Sequence, residues 1–180
     1  MTNNPCKVIT GKNTRWAYVN VWEPKVPLQG GRPKFSIRLI IPKDDFATVA
    51  KIKAAIRAAY AKDADKLRNE DGTLPTFDEI KMPLNDGDKT PLRNPEDYAN
   101  CYYINANTET APGIVDADMN PVITRSDVYS GVYGRASISF YAFNKGYVRG
   151  IACSLNNLQL IRPGEHLGRH SEAAEDFKED

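Results

Sequence analysis

Apolar and polar residues alternate with a period of two along residues 15–22, RWAYVNVW, which predicts a half-buried strand with Ala17, Val19 and Val21 inward and Trp16, Tyr18, Asn20 and Trp22 outward. A Pro/Gly-rich loop follows over 24–33. Residues 34–41 alternate again, with Phe35, Ile37, Leu39 and Ile41 inward and Lys34, Ser36 and Arg38 opposite. Pro42 stops that strand, and Asp44 or Asp45 can accept from the free N–H groups of a helix start. From there Phe46, Val49, Ile52, Ile56 and Ala59 or Tyr60 recur every three or four residues, which predicts one amphipathic helix over about 44–67.

Residues 69–97 are rich in Asp, Gly, Pro and Asn and read as a long excursion with short elements at most. Extended pieces are expected at 101–106, 112–116 and 121–123, with a turn at 118–120 and a helical turn or tight loop at 126–131. A long hairpin closes the pattern: 132–143 out, a turn at 144–146, and 147–161 back. Val132, Ala136, Ile138 and Phe140 face one way, and Tyr133, Arg135, Tyr141 and Phe143 the other. Gly134, Gly146 and Gly150 suggest bulges or sharp coiling, as where a sheet closes on itself. The sum is a mainly β, α+β domain over 1–168, a small antiparallel barrel with one packed helix, and a tail over 169–180. Periodicity alone does not separate an OB barrel from other small barrels.

With 41% hydrophobic and 26% charged residues in 180, the chain has enough apolar content to fold without disulfides. Cys6, Cys101 and Cys153 are odd in number and widely spaced, which argues against a disulfide framework or a CxxC zinc site and fits a reducing cytoplasm. No run approaches a membrane span, and the opening MTNNP lacks the features of a signal peptide, so a soluble intracellular protein is expected.

The balance of 24 Lys+Arg against 23 Asp+Glu hides an asymmetry. Residues 171–180, SEAAEDFKED, hold five acids and one base, and removing them from the totals leaves 23 bases against 18 acids. The acidic tail, with Glu172, Glu175, Asp176, Phe177, Glu179 and Asp180, suits competition for an anionic ligand's site or docking of a basic-rimmed partner.

Catalysis finds little support. His166 and His170 lie beyond the last expected strand, and the nucleophile-elbow, phosphate-loop and zinc-protease motifs are absent. Asp86, Asp88, Asp116 and Asp118 could serve a two-metal nuclease, but Asp116 and Asp118 read better as turn residues and the 85–88 segment lacks the Glu that closes a calcium loop. No metal or cofactor is expected.

Binding does better. Single strands are held by basic grooves tracking phosphates and by aromatic faces that stack bases. Lys34, Arg38, Arg135, Lys145 and Arg149 are the candidate phosphate contacts, and Trp16, Tyr18, Trp22, Tyr133, Tyr141 and Phe143 the candidate stacking surfaces.

The stretches 33–45, 51–56, 98–106, 112–122, 127–144 and 150–168 resemble the phage-type single-stranded-DNA-binding proteins. The resemblance implies an OB-fold barrel related to the phage helix-destabilising proteins. It also implies a non-enzymatic protein of the host cytoplasm that coats single-stranded DNA during replication, recombination and repair. Its weight falls on 127–149, with Tyr129, Tyr133 and Arg135, and on Lys34 and Arg38. An acidic tail of this family type docks replication proteins, though here Phe177 is followed by Lys178-Glu-Asp180 rather than ending the chain. The alternative is an OB-fold protein-interaction module whose aromatics form a partner or homodimer interface.

Overall fold

The computed structural model describes residues 4–28 and 30–167, so the acidic tail residues Glu172 to Asp180 and His170 lie outside the described residues. Its elements in chain order are β1 (Lys7–Ile9), β2 (Arg15–Lys25), β3 (Lys34–Pro42), α1 (Phe46–Lys62), α2 (Ala64–Leu67), β4 (Asn85–Asp86), β5 (Cys101–Thr108), β6 (Gly113–Val115), β7 (Tyr133–Asn144) and β8 (Arg149–Arg162).

The strand pairings return to their starting point. β2 runs antiparallel to β3, β3 antiparallel to β5, β5 parallel to β8, β8 antiparallel to β7, and β7 meets β2 again at Tyr133 and Arg15. Backbone bonds from Trp16 N to Val132 O and from Gly131 N to Trp16 O lock that seam. This closed sheet is the small barrel expected from the alternation and the OB-like fold that the resemblance implies, with one departure from the expected antiparallel order, since β5 and β8 run parallel. β1 and β4 carry too few residues to show a period; β1 lines the edge of β7, and β4 joins β5.

Alternation sorts the side chains. Ile37, Leu39 and Ile41 of β3, Ile104 and Ala106 of β5, Ala136, Ile138 and Phe140 of β7 and Leu155 of β8 fill the interior. Ile52, Ala55, Ile56 and Ala59 of α1 pack into the same core. Asp45 caps the helix by accepting from Thr48 N at 3.3 Å. Phe46 is 77% exposed, contrary to the expected stripe, because it precedes the buried Thr48 by two residues, about 200° of turn. The expected single helix breaks at Asp63, which serves as the C-cap of α1 and the N-cap of α2.

One correction concerns the first long strand. Trp16 lies in the core, fully enclosed, with Nε1 donating to Gly134 O at 3.1 Å. The register explains it: Ala17 pairs with Arg38 but Asn20 pairs with Ser36, so β2 holds one extra residue there. The bulge sits at Tyr18, whose φ is 47°. Parity therefore reverses across Tyr18: Trp16 points inward before it, and Val19 and Val21 pack inward after it. Gly134 is required beneath the indole, since a Cβ there would come within 2.2 Å of the Trp16 ring.

Candidate nucleic-acid interface

The same bulge that buries Trp16 turns Tyr18 outward, 55% exposed, on the barrel's outer face. Arg38, at an outward position of β3, comes under it, with its guanidinium 4.8 Å from the Tyr18 ring centre. The guanidinium also lies 4.5 Å from the ring of Tyr103, on β5. It is held in plane by two hydrogen bonds, Nε donating to Asn105 Oδ1 at 2.8 Å and Nη1 donating to the Tyr98 hydroxyl at 3.1 Å. Tyr98 and Tyr103 meet edge to face at 5.4 Å and form, with Ala17 and Ile40, a small apolar cluster outside the barrel. Burial pushes the Tyr98 phenol up, and the bond from Arg38 works against that rise.

The long excursion builds this cluster. Tyr98 ends a short 3-10 turn (Pro95–Tyr98) that the excursion lays against β5. Gly87 permits the approach, because a Cβ there would fall 2.7 Å from both Cys101 O and Tyr98 O. Lys43 clamps the excursion by donating to Asp86 Oδ1 and Asp88 Oδ2, each at 2.7 Å. These bonds hold the Lys43 ammonium well above its ordinary value and both carboxyls below theirs. Two of the four carboxylates considered for a nuclease are thus engaged by a lysine. Asp116 closes the turn at Met119 by accepting from Asp118 N and Asn120 N. Among the described residues no group of three or more His, Cys, Asp or Glu is placed to hold a metal ion.

The expected residues therefore separate into three sets. Tyr18 and Arg38 come together, and Lys34 lies four residues from Arg38 on the same face of β3. Tyr141, 39% exposed, Phe143 and Lys145 lie toward the tip of the β7–β8 hairpin, where the Lys145 ammonium is 5.9 Å from the Phe143 ring and Tyr147 is 85% exposed.

The rest are committed to the framework. Arg149 donates to the Leu67 and Arg68 carbonyls and to Asn69 Oδ1, finishing the end of α2. Arg135 donates to Thr10 O and Gln159 Oε1. The Tyr133 ring carries the guanidinium of Arg162 at 4.0 Å and that of Arg15 at 5.1 Å. Trp22 packs against the core, with Arg125 5.9 Å from its ring. Trp16, being fully enclosed, offers no surface to a base.

Sequence reasoning missed Tyr98, Tyr103 and Asn105. The sequence predicts only an extended piece over 101–106; carrying its alternation through would have put Tyr103 and Asn105 on one side and Ile104 and Ala106 on the other. Tyr98, on an irregular segment, gave no such signal. In the barrel order, β3 and β5 are the second and third strands, the face that OB folds use for oligonucleotides.

Comparison with known proteins matches residues 6–180 to the model of one family, described as Enterobacter phage Enc34, ssDNA-binding protein. The chain is 28% identical over 160 residues to putative protein p50 of Acyrthosiphon pisum secondary endosymbiont phage 1, covering 85% of this chain and 82% of that one. Among solved structures it is similar to the single-stranded DNA-binding protein of bacteriophage Enc34 in complex with ssDNA, with a TM-score of 0.75 and 21% identity over 91% of this chain and 90% of the other. It also resembles gp2.5, a single-stranded DNA-binding protein encoded by bacteriophage T7, with a TM-score of 0.60, 15% identity and coverage of 97% and 95%.

Proposed function

This chain belongs to the family of the Enterobacter phage Enc34 ssDNA-binding protein, and we propose that it binds single-stranded DNA without sequence preference on the outer face of β2, β3 and β5. The observation that carries the reading is the Arg38 cluster: a cation fixed in plane among three tyrosine rings, one of them open to solvent. A guanidinium so placed neutralises a phosphate while Tyr18 offers its face to the neighbouring base. Lys34 extends the cationic side along β3, and Tyr141, Phe143 and Lys145 provide a second contact surface of the same composition.

The protein acts by mass action and performs no catalysis. Binding single strands and not duplex pulls melting equilibria toward the single-stranded form without ATP, which suits the coating of exposed DNA during phage replication, recombination and repair in the host cytoplasm. Residues 1–168 form the binding domain. The acidic stretch 169–180 competes for the basic face in the absence of DNA and, once displaced, docks basic-rimmed replication proteins. No described helix is long and apolar enough to cross a membrane.

The test is a titration of fluorescent oligo-dT at several salt concentrations, with the matching duplex as competitor. Tight single-strand binding that weakens steeply with salt is expected. Absence of binding at low salt overturns the reading and leaves a protein-interaction module. Deleting residues 171–180 is expected to raise the affinity, and an unchanged affinity at low salt removes the competitive role of the tail.

A further inference from the structure

α1 turns a patterned face away from the barrel. Thr48, Ile52, Ala55, Ile56 and Ala59 pack inward. At about 100° per residue, the opposite side of the helix carries Ala47, Ala50 and Ala61 within about 40° of Ala54, and all four are exposed. Lys51 and Lys62 border this alanine strip about 60–80° to one side, and Arg57 and Lys53 about 60–100° to the other. These four cations are exposed, α1 contains no Asp or Glu, and none of the ion pairs among the described residues takes a cation from it. Lys53 and Arg57, at i and i+4, repel each other. The helix thus presents a shallow trough, about 25 Å long for its 17 residues, between two rows of positive charge.

Residues 171–180 match that trough in charge and length. The stretch SEAAEDFKED holds five acids and one base, a balance of −4 against the +4 of Lys51, Lys53, Arg57 and Lys62. Its ten residues extend to at most about 36 Å, enough to lie along the whole helix. The chain also leaves the barrel near the start of α1. Leu167, the last described residue, packs against the cluster that contains Ile40 and Tyr103, and its N–H donates to Ser130 O at 2.9 Å. Ile40 stands five residues before Asp45, the cap of α1. Tyr102, the neighbour of Tyr103 on β5, has Lys53 Nζ of α1 at 5.7 Å from its ring centre. From Leu167 to Glu172 the chain spans up to about 17 Å. The Arg38 face offers fewer cations, Arg38 and Lys34, and the Arg38 guanidinium is already bonded to Asn105 and Tyr98.

We propose that the alanine strip of α1 is a seat for the acidic tail of the same chain, with residues 171–180 laid along it and their carboxylates between the two cationic rows. This goes beyond the single-strand-binding reading and does not depend on it. The alanines let the backbone of the tail approach the helix, and the flanking cations meet carboxylates on both sides. Exposed ion pairs contribute little singly, so the seat is reversible and salt-sensitive, a bias of about tenfold for four pairs. The tail then has two places to go, the Arg38 face and α1, and each tail held on α1 leaves Arg38 open to a phosphate.

The test is cross-linking of the full chain with a carbodiimide, which condenses a lysine amine with a nearby carboxyl, followed by mapping of the joined peptides by mass spectrometry. The carboxyls of Glu172, Glu175, Asp176, Glu179 and Asp180 are expected to join Lys51, Lys53 and Lys62 within the monomer band, about tenfold more at low salt than at high salt. Joints chiefly to Lys34 or Lys145, or spread evenly over the exposed lysines, would overturn the proposal. Joints to α1 confined to a dimer band would also overturn it, by giving the seat to the tail of a second copy. A second readout uses Lys51→Gln with Arg57→Gln, which keeps good helix formers at exposed positions. This double change is expected to lower oligo-dT affinity about threefold by releasing the tail onto the Arg38 face. It is expected to have no such effect once Glu172→Gln, Glu175→Gln and Asp176→Asn have reduced the charge of the tail. Equal weakening with and without those tail charges would make α1 a DNA contact and overturn the proposal. If the unaltered chain binds no oligo-dT, the single-strand-binding reading fails, and the cross-links still decide the seat.

Discussion

Replacing Arg38 by alanine removes two fixed hydrogen bonds, to Asn105 and Tyr98, and the cation that lies within 5 Å of the Tyr18 and Tyr103 ring centres. Toward DNA, one charge-assisted phosphate contact from a half-buried arginine contributes about 1.5–2 kcal/mol. That corresponds to a roughly 10–30-fold loss of single-strand affinity. A second readout separates charge from shape. Each phosphate neutralised on a single strand contributes about 0.7 to the slope of log affinity against log salt, so Arg38→Ala is expected to flatten the slope by about that amount. Arg38→Lys keeps the charge, and hence the slope, but a lysine cannot reproduce the planar stack or both hydrogen bonds, so its affinity falls between the two. The fold should tolerate either change, since the group lies outside the barrel core. The two hydrogen bonds and the cation–aromatic contacts contribute about 2–3 kcal/mol in sum, a shift of about 4–12 °C in a domain of this size. Oligo-dT anisotropy across a salt series, with a thermal melt of each variant, measures both. A folded Arg38→Ala protein with unchanged affinity and slope would refute the assignment of this cluster to phosphate binding.

Gly134→Ala should behave oppositely, lowering the melting temperature by several degrees because its Cβ would strike Trp16, while the refolded fraction keeps normal affinity. Arg149→Ala, which frees the carbonyls ending α2, is expected to cost about 1–2 kcal/mol in denaturant melts and to leave the salt slope of DNA binding unchanged. The Lys43 clamp predicts a pH dependence. Asp86 and Asp88 titrate below their ordinary value in the folded protein, so their contribution to stability is fully present above about pH 4, where unfolded carboxyls are ionised, and is lost as pH falls through the folded values. Lys43 titrates above its ordinary value, so its contribution holds up to about pH 10 and is lost only as pH rises through the folded value. The melting temperatures of Lys43→Met and the unaltered protein are therefore expected to differ at neutral pH and to converge as pH falls through the folded values of the two carboxyls; a gap that does not shrink at all on acidification would contradict the clamp.

The barrel was legible wherever a strand carried an unbroken period of two. β3 and β7 alternate along their lengths, and the predicted parity of Arg38, Tyr141 and Phe143 matches the observed one. α1 was legible from its cap at Asp45 and its apolar stripe. β1, with three residues, and β4, with two, were not, because elements that short are defined by the neighbour they pair with and carry no pattern of their own. Arg149 was misassigned for a related reason. A lone arginine at a strand start reads as a surface cation, and only the fold reveals that the end of α2 lies against it.

The bulge at Tyr18 links the core to the candidate site. Alternation over 15–22 has two consistent readings, and the sequence pattern favours the one with small apolar residues inside and three large aromatics outside. A single extra residue lets the strand do both. Before the bulge, Trp16 fills the barrel over Gly134. After it, Val19 and Val21 continue the core, and at it Tyr18, the one residue of β2 in a left-handed conformation, is released to stand over Arg38. For an L-residue that conformation costs about 1–2 kcal/mol, which the flanking pairs Ala17–Arg38 and Asn20–Ser36 must offset. Tyr18→Gly therefore removes strain and the stacking face together. It is expected to leave the melting temperature unchanged or slightly raised while single-strand affinity falls by about 1–3 kcal/mol, the contribution of one stacked base. A loss of stability with affinity retained would place Tyr18 in the framework and would leave the outer face without its exposed ring.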